Sequence, residues 1–272
     1  MENYILIRGG GDLASGVALR LHRSGYKVLI AELPKPMAVR RTVSFSEAVY
    51  EGEMVVEDIC AQRVDSVQAA FDLVENGMIP VIIDPQAAIL QKASFSTLID
   101  ARLLKQISES SILAAPLVIG LGPGFTCGLN CHAVVETQRG HFLGRVYWNG
   151  SAIADTGQPE GDIRRVLRSP IEGVFSAFVK IGDLIETGQI IAEVEGEKII
   201  APFGGVLRGL IRSGVNVPKN TKIGDIDQRS DPSYCYSVSD KALSVGGGVL
   251  EAVLFWNHHT ISQDRINLFR AS

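Results

Sequence analysis

The sequence has little cysteine and no long apolar run. Four cysteines in 272 residues are too few for a disulfide framework, so we expect reduced thiols and a cytoplasmic location. A membrane-spanning helix needs about 20 consecutive apolar residues, and no run in the chain is that long. The first apolar run, Tyr4 to Ile7, is too short for a signal peptide. We therefore expect no contact with a membrane.

Neither sign of charge dominates the sequence. The formal net charge is −4 and charged residues make up 21% of the chain, so the composition gives no support for binding to nucleic acid. Hydrophobic residues make up 46%, which is typical of a globular protein rather than a disordered one. A chain of this length can form two modest domains with a sizeable core.

The most informative segment extends from Tyr4 to Leu33. An apolar run is followed by three glycines, a helical pattern of apolar residues and a second apolar run that ends at Glu32. A strand, a tight glycine turn, a helix and a parallel strand form the unit that binds dinucleotides. Because strands and helices continue to alternate after this segment, we expect an α/β fold with a Rossmann-like parallel sheet domain over residues 1–167.

The glycines of this segment fit the pattern of a phosphate-binding turn. Gly9, Gly11 and Ala14 match G-x-G-x-x-A, with Gly10 between the first two. The first glycine permits the sharp turn, and the second lets the backbone approach a phosphate. The small third residue lets the helix pack on the strand. The alternative is a glycine turn in a parallel sheet that binds no nucleotide.

Two acidic residues belong to the same predicted cofactor site. Glu32 ends the second apolar run, where a carboxylate can accept hydrogen bonds from a ribose diol. Asp12 follows the glycines, at the point where the helix would begin and direct free N–H groups towards an anion. Asp12 would repel a phosphate there unless it caps the helix.

Arg40 and Arg41 follow the second predicted strand. Ligands of open parallel sheets bind at the carboxyl ends of the strands, and two guanidinium groups at that edge can bind phosphates or a carboxylate. The alternative is a solvated pair on a loop. We include both arginines among the candidate cofactor-binding residues.

A second glycine-rich loop follows a later apolar run. Gly122 and Gly124 flank a proline, so the loop departs from G-x-G-x-x-G but is compatible with a backbone-lined anion site. A rigid turn is the alternative.

Cys127 lies just beyond this loop, followed by Cys131 and His132. Structural zinc usually needs four ligands, so we predict no metal site and instead assign Cys127 to a soft, transient ligand beside the loop.

The chain contains a duplication. Residues 169–194 and 201–226 match at a spacing of thirty-two. Each copy predicts short strands divided by proline and glycine, and the two copies must share one core. Residues 168–228 thereby resemble the biotinyl/lipoyl-type barrel-sandwich hybrid. Lys198, at the joint of the copies, lacks the sequence context of that family's modified lysine. We therefore expect neither biotin nor lipoate, and we assign this all-β segment a docking or structural role.

Residues 229–272 form the last predicted segment. The apolar residues from Leu243 to Leu254 predict a helix that packs back on the first domain. Three glycines, Gly246 to Gly248, interrupt this pattern, and each costs a helix roughly 1 kcal/mol relative to alanine. They indicate either close packing or backbone near a ligand.

Several blocks of the sequence together resemble the YqeB family, and the resemblance covers nearly the whole chain. The blocks are Gly-Gly-Gly-Asp-Leu-Ala-Ser-Gly (9–16), Arg-Arg-Thr-Val-Ser-Phe-Ser-Glu-Ala-Val-Tyr (40–50), Gly-Leu-Gly-Pro-Gly-Phe (120–125), Glu-Thr-Gln-Arg-Gly-His-Phe-Leu-Gly-Arg-Val (136–146) and Gly-Gly-Gly-Val-Leu-Glu-Ala-Val-Leu (246–254). The N-terminal part is also similar to the Rossmann domain of XdhC-type insertion chaperones.

The resemblance implies a role in the selenium-dependent molybdenum hydroxylase system: handling the molybdenum cofactor, or delivering sulfur or selenium to it. It supplies no catalytic residues. The expected ligand is a molybdenum pterin dinucleotide or NAD(P), with its pyrophosphate at the first glycine turn and Cys127 near the metal end. The expected partner is a client molybdenum hydroxylase, and self-association into a homo-oligomer is left open.

Two other functional classes compete with this hypothesis. An NAD(P)-dependent oxidoreductase acting on a small substrate needs a proton donor near the nicotinamide, and His132 and His141 are the candidates. A carrier protein needs a modified lysine, for which Lys198 is the candidate. Turnover of alcohols or aldehydes would favour the first class, and an increased intact mass would favour the second.

Overall fold

The computed structural model describes residues 4–105, 112–154 and 162–270, with side chains up to residue 259. Among these residues, no helix combines the length and the apolar character that a membrane span requires. The α-helices are α1 (Asp12–Arg23), α2 (Ala48–Glu51), α3 (Val67–Glu75) and α4 (Asp240–Arg270). Short 3-10 helices cover Arg41–Val43, Phe45–Glu47, Ala88–Gln91, Ile163–Arg165 and Pro232–Cys235.

A nine-stranded sheet forms the centre of the N-terminal part. In chain order its strands are β1 (Tyr4–Arg8), β2 (Lys27–Glu32), β3 (Glu53–Val56), β4 (Ile59–Val64), β5 (Ile79–Ile83), β6 (Thr97–Asp100), β7 (Leu117–Leu121), β8 (Ala133–Val135) and β9 (Val146–Tyr147). Their order in space is β3-β4-β5-β2-β1-β6-β7-β8-β9. The inner pairs are parallel, whereas β3 and β9 pair antiparallel with β4 and β8. The sheet is therefore mixed.

The remaining strands form two antiparallel sheets of four strands each. They are β10 (Val166–Arg168), β11 (Gly173–Ala177), β12 (Leu184–Ile185), β13 (Ile190–Val194), β14 (Glu197–Ile200), β15 (Gly205–Leu210), β16 (Asn216–Val217) and β17 (Lys222–Asp227). The first small sheet has the order β10-β17-β15-β12, and the second has the order β14-β13-β11-β16.

The strand order shows how the duplicated halves combine. Strands β11, β12 and β13 of the first copy correspond to β15, β16 and β17 of the second, at the spacing of thirty-two residues. In each small sheet, the two central strands come from one copy and an outer strand comes from the other. Because each copy completes the sheet of the other, both contribute to one core, which includes Phe175, Ile191, Leu207 and Ile223.

The expected fold class, a Rossmann-like parallel sheet domain with a biotinyl/lipoyl-like barrel-sandwich hybrid, is wrong. The large sheet is mixed, and residues 166–227 lie in two separate antiparallel sheets. Apolar patterns identify strands, but the direction in which an edge strand pairs depends on its connection. A two-residue turn with Glu57 at φ +55° returns β4 beside β3. The β7–β8 connection contains no helix, because it begins with a glycine–proline–glycine sequence.

One face of the large sheet packs on α1 and α4. The two helices approach so closely that a Cβ atom at Gly16 would be 2.7 Å from the carbonyl oxygen of Ala242. A Cβ atom at Gly246 would be 2.6 Å from the carbonyl oxygen of Gly16. Of the two roles predicted for the glycines of α4, close packing is therefore the one seen at Gly246.

Candidate functional site

A cleft of about 650 Å³ lies where the large sheet meets the first small sheet. One side is lined by residues that follow β1, β2, β6, β7 and β8. The other side is lined by residues of β10, β15 and β17 and of the 3-10 helix before them, and the start of α4 also contributes. Since the carboxyl ends of parallel strands open into it, the cleft has the position in which open sheets bind ligands.

The cleft is strongly basic. Its large-sheet wall carries Arg40, Lys105, Arg139 and Lys241, and its small-sheet wall carries Arg165, Arg168, Arg208 and Lys222. These eight cations face two lining carboxylates, Asp12 and Asp225. Two carboxylates outside the lining, Asp240 and Asp227, pair with Arg139 and Arg208. The whole chain has a net charge of −4, so the cleft is positively charged although the chain as a whole is negatively charged. A cleft lined by one sign of charge concentrates ligands of the opposite sign.

Helix α1 begins at this cleft. Gly11 precedes the helix in an extended conformation, with φ −66° and ψ −177°, and no side chain caps the helix. The N–H group of Ser15 donates to the Gly11 carbonyl at 2.8 Å and so closes the first helical turn. The N–H groups before it have no partner within the helix. Because Gly11 and Asp12 line the cleft, the positive end of the helix dipole adds to its potential.

Arg40 is nearly enclosed, with 9% of its surface exposed. One guanidinium nitrogen donates to the carbonyls of Tyr234 and Ser237, at 2.9 and 3.2 Å, and another lies 3.8 Å from Asp12 Oδ2. Its buried Nε has no hydrogen-bond partner. Burial lowers the pKa of Arg40, and the positive charge of Arg208 lowers it further. An anion in the cleft would therefore stabilise the charged form of Arg40.

The small-sheet wall is arranged around Asp225. Its carboxylate accepts from Arg165 Nη1 at 2.6 Å and from Lys222 Nζ at 3.2 Å. Arg168 Nη1 instead donates to the backbone carbonyl of Asn220 at 2.9 Å. One carboxylate therefore orients two cations but balances only one of the positive charges on this wall.

Arg208 completes the small-sheet wall. Its Nη1 lies 3.3 Å from Asp227 Oδ2, while Arg229 Nη2 approaches the same oxygen at 2.6 Å. Hydrogen bonds from Arg229 are the main cause that lowers the pKa of Asp227 to about 2. The buried Nε of Arg208 has no hydrogen-bond partner. Asp227 therefore fixes Arg208 but is shared with a second arginine.

Gln138 adds a neutral polar group to the cleft. Its backbone N–H donates to the buried carboxylate of Glu136 at 2.7 Å, and the second oxygen of Glu136 accepts from the N–H of Ile153 at 2.8 Å. The side-chain Oε1 of Gln138 is buried without a hydrogen-bond partner. Buried polar atoms are rarely left unpaired, so this oxygen is suited to accept a hydrogen bond from a ligand.

The first glycine turn differs from the expected phosphate site. The N–H of Gly9 donates to the Ala31 carbonyl at 2.8 Å, and the N–H of Gly10 donates to Glu32 Oε1 at 2.7 Å. Glu32 also accepts from the N–H of Leu33, and burial raises the pKa of its carboxyl group. Glu32 therefore holds the turn together and is not oriented for a ribose. Of the three glycines, only Gly11 lines the cleft.

The arginine pair is divided between two places. Arg40 lines the cleft, whereas Arg41 Nε donates to the Leu210 carbonyl at 2.7 Å and its Nη1 lies 3.4 Å from Glu47 Oε2. Successive residues in this turn point in different directions, because Arg41 begins a 3-10 helix. Arg41 therefore joins the large part of the chain to β15 rather than facing the cleft.

The second glycine loop reaches the cleft through its proline. Pro123 lines the cleft, but Gly122 and Gly124 do not. Both have positive φ, at +79° and +98°, and Cβ atoms there would overlap the Thr137 hydroxyl and the Leu104 carbonyl. Of the alternatives for this loop, a closely packed turn is therefore the one observed. Ala14 is buried in the core, where a small residue of α1 was expected.

The predicted position of Cys127 beside the ligand is not observed. Cys127 Sγ donates to the Tyr147 carbonyl at 3.2 Å, and neither Cys127 nor Cys131 lines the cleft. Burial raises the pKa of the Cys127 thiol, and it raises that of Cys131 to about 12. His132 Nδ1 accepts from the Val118 N–H at 2.9 Å, while His141 is exposed. Neither histidine is among the described residues that line the cleft.

The cations of the small-sheet wall were missed at the sequence level. A signal was present in the duplication: Arg168, Arg208 and Lys222 correspond, at the spacing of thirty-two, to Ile200, Ser176 and Ile190. Positions with the same place in the fold thus differ in charge. A cation present in only one copy is not required by the shared core and indicates a function of that face.

Comparison with solved structures gives only weak similarity. An aspartoacylase family protein from Mesorhizobium loti is 14% identical, with a TM-score of 0.26, over 83% of this chain and 85% of that chain. A succinylglutamate desuccinylase/aspartoacylase from Rhodobacter sphaeroides is 11% identical, with the same TM-score and the same coverage. At this TM-score the alignments carry no conclusion about fold or chemistry.

Comparison of sequences is more informative. No protein-family model matches the chain. It is 46% identical over 265 residues to "Uncharacterized protein YqeB" from Escherichia coli (strain K12). The aligned residues cover 96% of this chain and 49% of that protein. The chain thus spans about half the length of the curated relative it matches. With this identity over nearly all of its residues, the chain belongs to the YqeB family.

Proposed function

We propose that the cleft binds a phosphate-bearing dinucleotide cofactor, and that the protein handles this cofactor for the maturation of selenium-dependent molybdenum hydroxylases. The observation that carries the proposal is the convergence of the uncapped start of α1 with eight basic side chains. Uncapped helix N-termini and arginine side chains are the two groups that proteins use most readily for phosphate.

The composition of the cleft favours a dinucleotide over a simple anion. Its volume of about 650 Å³ lies in the range of sites for small molecules and cofactors. The lining also includes apolar side chains, Leu13, Met37, Val39 and Ile153, beside the cations. In this proposal the diphosphate lies at Gly11 and Arg40, and Gln138 Oε1 accepts from a hydroxyl or amino group of the ligand.

The anionic phosphates of a molybdenum pterin dinucleotide match the positive charge of this cleft, which supports this cofactor as the ligand. When bound, that group supplies redox chemistry to the client enzyme, and this chain's residues would bind and orient its phosphates. No cysteine is among the described residues that line the cleft, so we assign no residue to the metal end. The link to a molybdenum hydroxylase client rests on the sequence blocks that resemble the YqeB family, and the cleft supports only the ligand class.

An NAD(P)-dependent oxidoreductase remains the alternative for the same cleft. That reaction needs a proton donor beside the nicotinamide, and neither His132 nor His141 lines the cleft in the described part of the chain. Binding of a dinucleotide without turnover is therefore the expected behaviour.

Calorimetry on the full chain tests the ligand. The probes are NAD+, NADP+ and a molybdenum pterin dinucleotide released from a molybdenum hydroxylase. We expect one of them to bind, and we expect Lys105→Gln with Lys241→Gln to weaken binding at least about tenfold, since the loss of even one charge-assisted contact costs roughly 1.5–3 kcal/mol. The matched control is Lys92→Gln with Lys198→Gln, which removes the same charge from exposed positions outside the cleft.

The role in maturation needs a second measurement. In cells that lack this protein, the client hydroxylase should accumulate without activity, and the native gene should restore activity where the cleft variant does not. Failure of all three probes to bind at millimolar concentration would contradict the ligand class. Full hydroxylase activity without the protein would contradict the maturation role.

A further inference from the structure

Resting on the proposed function, we infer that the small-sheet wall is a second anion subsite for the same ligand. Arg165, Arg168, Arg208 and Lys222 bind an anionic group that is separate from the diphosphate held at the start of α1. The ligand therefore carries a diphosphate and, at a distance from it, a further phosphate or comparable oxyanion.

The charge balance of this wall favours a bound anion. Four cations line it, and Asp225 is the one carboxylate among its described lining residues. Asp225 contacts Arg165 and Lys222, whereas Arg168 bonds only a neutral carbonyl in the described structure. A neutral partner orients a guanidinium group without balancing its charge. Arg208 shares Asp227 with Arg229. The four cations of the wall are therefore offset by Asp225 and by one shared carboxylate, and an excess of positive charge remains.

The duplicated halves differ in charge at the positions that face the cleft. Arg168, Arg208 and Lys222 have Ile200, Ser176 and Ile190 as their counterparts in the other small sheet. The two sheets share one strand order and one core. Since the counterparts fold without charge, the three cations are not needed for the strands that carry them. Their common position on the cleft points to a ligand.

The two walls face each other across the cleft. Arg40 on the large-sheet wall and Arg208 on the small-sheet wall each have a buried Nε without a hydrogen-bond partner. Burial and the positive charge of Arg208 lower the pKa of Arg40, and Asp12 and Asp225 offset part of the repulsion between the two arginines. A ligand with anionic groups for both walls would reduce it further.

Calorimetry with three related probes tests the second subsite on the full chain. NAD+ carries only a diphosphate, whereas NADP+ and coenzyme A each carry a further phosphate at a different place. We expect at least one of the latter to bind about tenfold more tightly than NAD+, the gain typical of one added charge-assisted contact. Arg168→Gln with Lys222→Gln should abolish this preference, so that the variant binds NADP+ and coenzyme A no more tightly than it binds NAD+.

The control variant is Lys180→Gln with Lys198→Gln. It removes the same charge from two exposed residues that do not line the cleft, Lys180 between β11 and β12 and Lys198 in β14, so it measures the long-range electrostatic effect alone. Circular dichroism and urea unfolding should show that both double variants fold as the native chain does.

The possible outcomes separate this inference from the proposed function. If NAD+ binds as tightly as NADP+ and coenzyme A, the second subsite is wrong while the dinucleotide site stands. The same conclusion follows if the cleft variant and the control lose equal affinity for all probes. If neither these probes nor the pterin dinucleotide binds the native chain, the proposed function fails, and the second subsite fails with it.

Discussion

The sequence Gly-Gly-Gly occurs in two regions of the chain, and the glycines have different roles in the two regions. Gly9–Gly11 forms the turn between β1 and α1, where Gly9 has φ +95°. Gly246–Gly248 lies inside α4, where no positive φ is recorded. In the helix, the backbone of α1 comes so close to Gly246 that a side chain would overlap it. Backbone conformation thus requires glycine at Gly9, and the distance between two backbones requires it at Gly246.

The two triplets also differ within themselves. In the turn, Gly9 and Gly10 are bonded internally and Gly11 alone faces the cleft. In the helix, Gly246 and Gly248 face neighbouring backbone, while nothing lies within 4 Å of a Cβ atom at Gly247. The glycines of one triplet can therefore serve as controls for each other, and single alanine substitutions distinguish glycines with a structural role from those without one.

Gly246→Ala should have the largest effect. Its new methyl group would lie 2.6 Å from the Gly16 carbonyl oxygen, so α1 and α4 would have to separate. Overpacking of this kind costs about 1–3 kcal/mol, and we expect the free energy of unfolding to fall by roughly 3 kcal/mol. Urea unfolding measures it. An unchanged midpoint would show that the contact between these helices is not tight.

Gly9→Ala should cost about 2 kcal/mol, for a different reason. A residue with φ +95° is strained once it carries a Cβ atom, and this atom would be 3.3 Å from the Ala101 carbonyl oxygen. The same urea experiment measures the loss. A neutral result here would mean that the turn can adopt another conformation, and the distinction between the two triplets would fail.

Glu32→Gln should destabilise the turn by about 1–2 kcal/mol, because its amide offers one acceptor where the carboxylate serves two N–H groups. The effect depends on pH. Burial raises the pKa of Glu32 in the folded chain, so the folded state retains its proton longer than the unfolded state does. As pH rises from the ordinary glutamate pKa through the folded value, the native chain loses stability and the variant does not. The gap between them should therefore narrow, which unfolding at several pH values measures. A gap that widens with pH would contradict the raised pKa.

Gly11→Ala should leave the fold almost intact and weaken ligand binding. Its φ of −66° suits alanine, and no atom lies within 4 Å of the new Cβ. We expect less than about 1 kcal/mol of lost stability, but about a tenfold weaker affinity, since the methyl group lies where the backbone approaches a phosphate. Calorimetry with the tightest-binding dinucleotide measures this. Equal affinity would place the phosphate elsewhere in the cleft.

Gly247→Ala should have the smallest effect, with the opposite sign. Alanine is favoured over glycine in a helix by about 1 kcal/mol, and open space surrounds this position. The free energy of unfolding should rise by roughly 0.5–1 kcal/mol. This variant is the matched control for Gly246→Ala. A loss of stability here would contradict the explanation that Gly246→Ala acts through the short distance between α1 and α4.

Local structure followed closely from the sequence where patterns were strong. The two apolar runs around the first glycine turn form β1 and β2, and the helical pattern between them forms α1. The duplication predicted that two copies share one core, and each copy contributes an outer strand to the small sheet of the other. The fold class failed because it depends on how edge strands pair, and pairing is set by connections rather than by the residues within a strand.

The candidate site was predictable only in part. Gly11, Asp12 and Arg40 line the cleft as expected, since each follows or begins an element near the carboxyl edge of the sheet. Glu32 was placed at the right edge but with the wrong partner, because a nearby backbone N–H group competes with any ligand for a buried carboxylate. Sequence position defines which edge a residue occupies, but the direction of its side chain depends on its neighbours.

By itself, the sequence determined the family, the duplication and the elements whose apolar periodicity reports a buried face. These properties depend on residues close together in the chain or on their order along it. Tertiary structure alone decided that cations near residues 40, 105 and 139 meet those near 165, 208 and 222 around one cleft. Charged side chains impose no period on the sequence, and their convergence is fixed by the packing of the apolar cores beneath them.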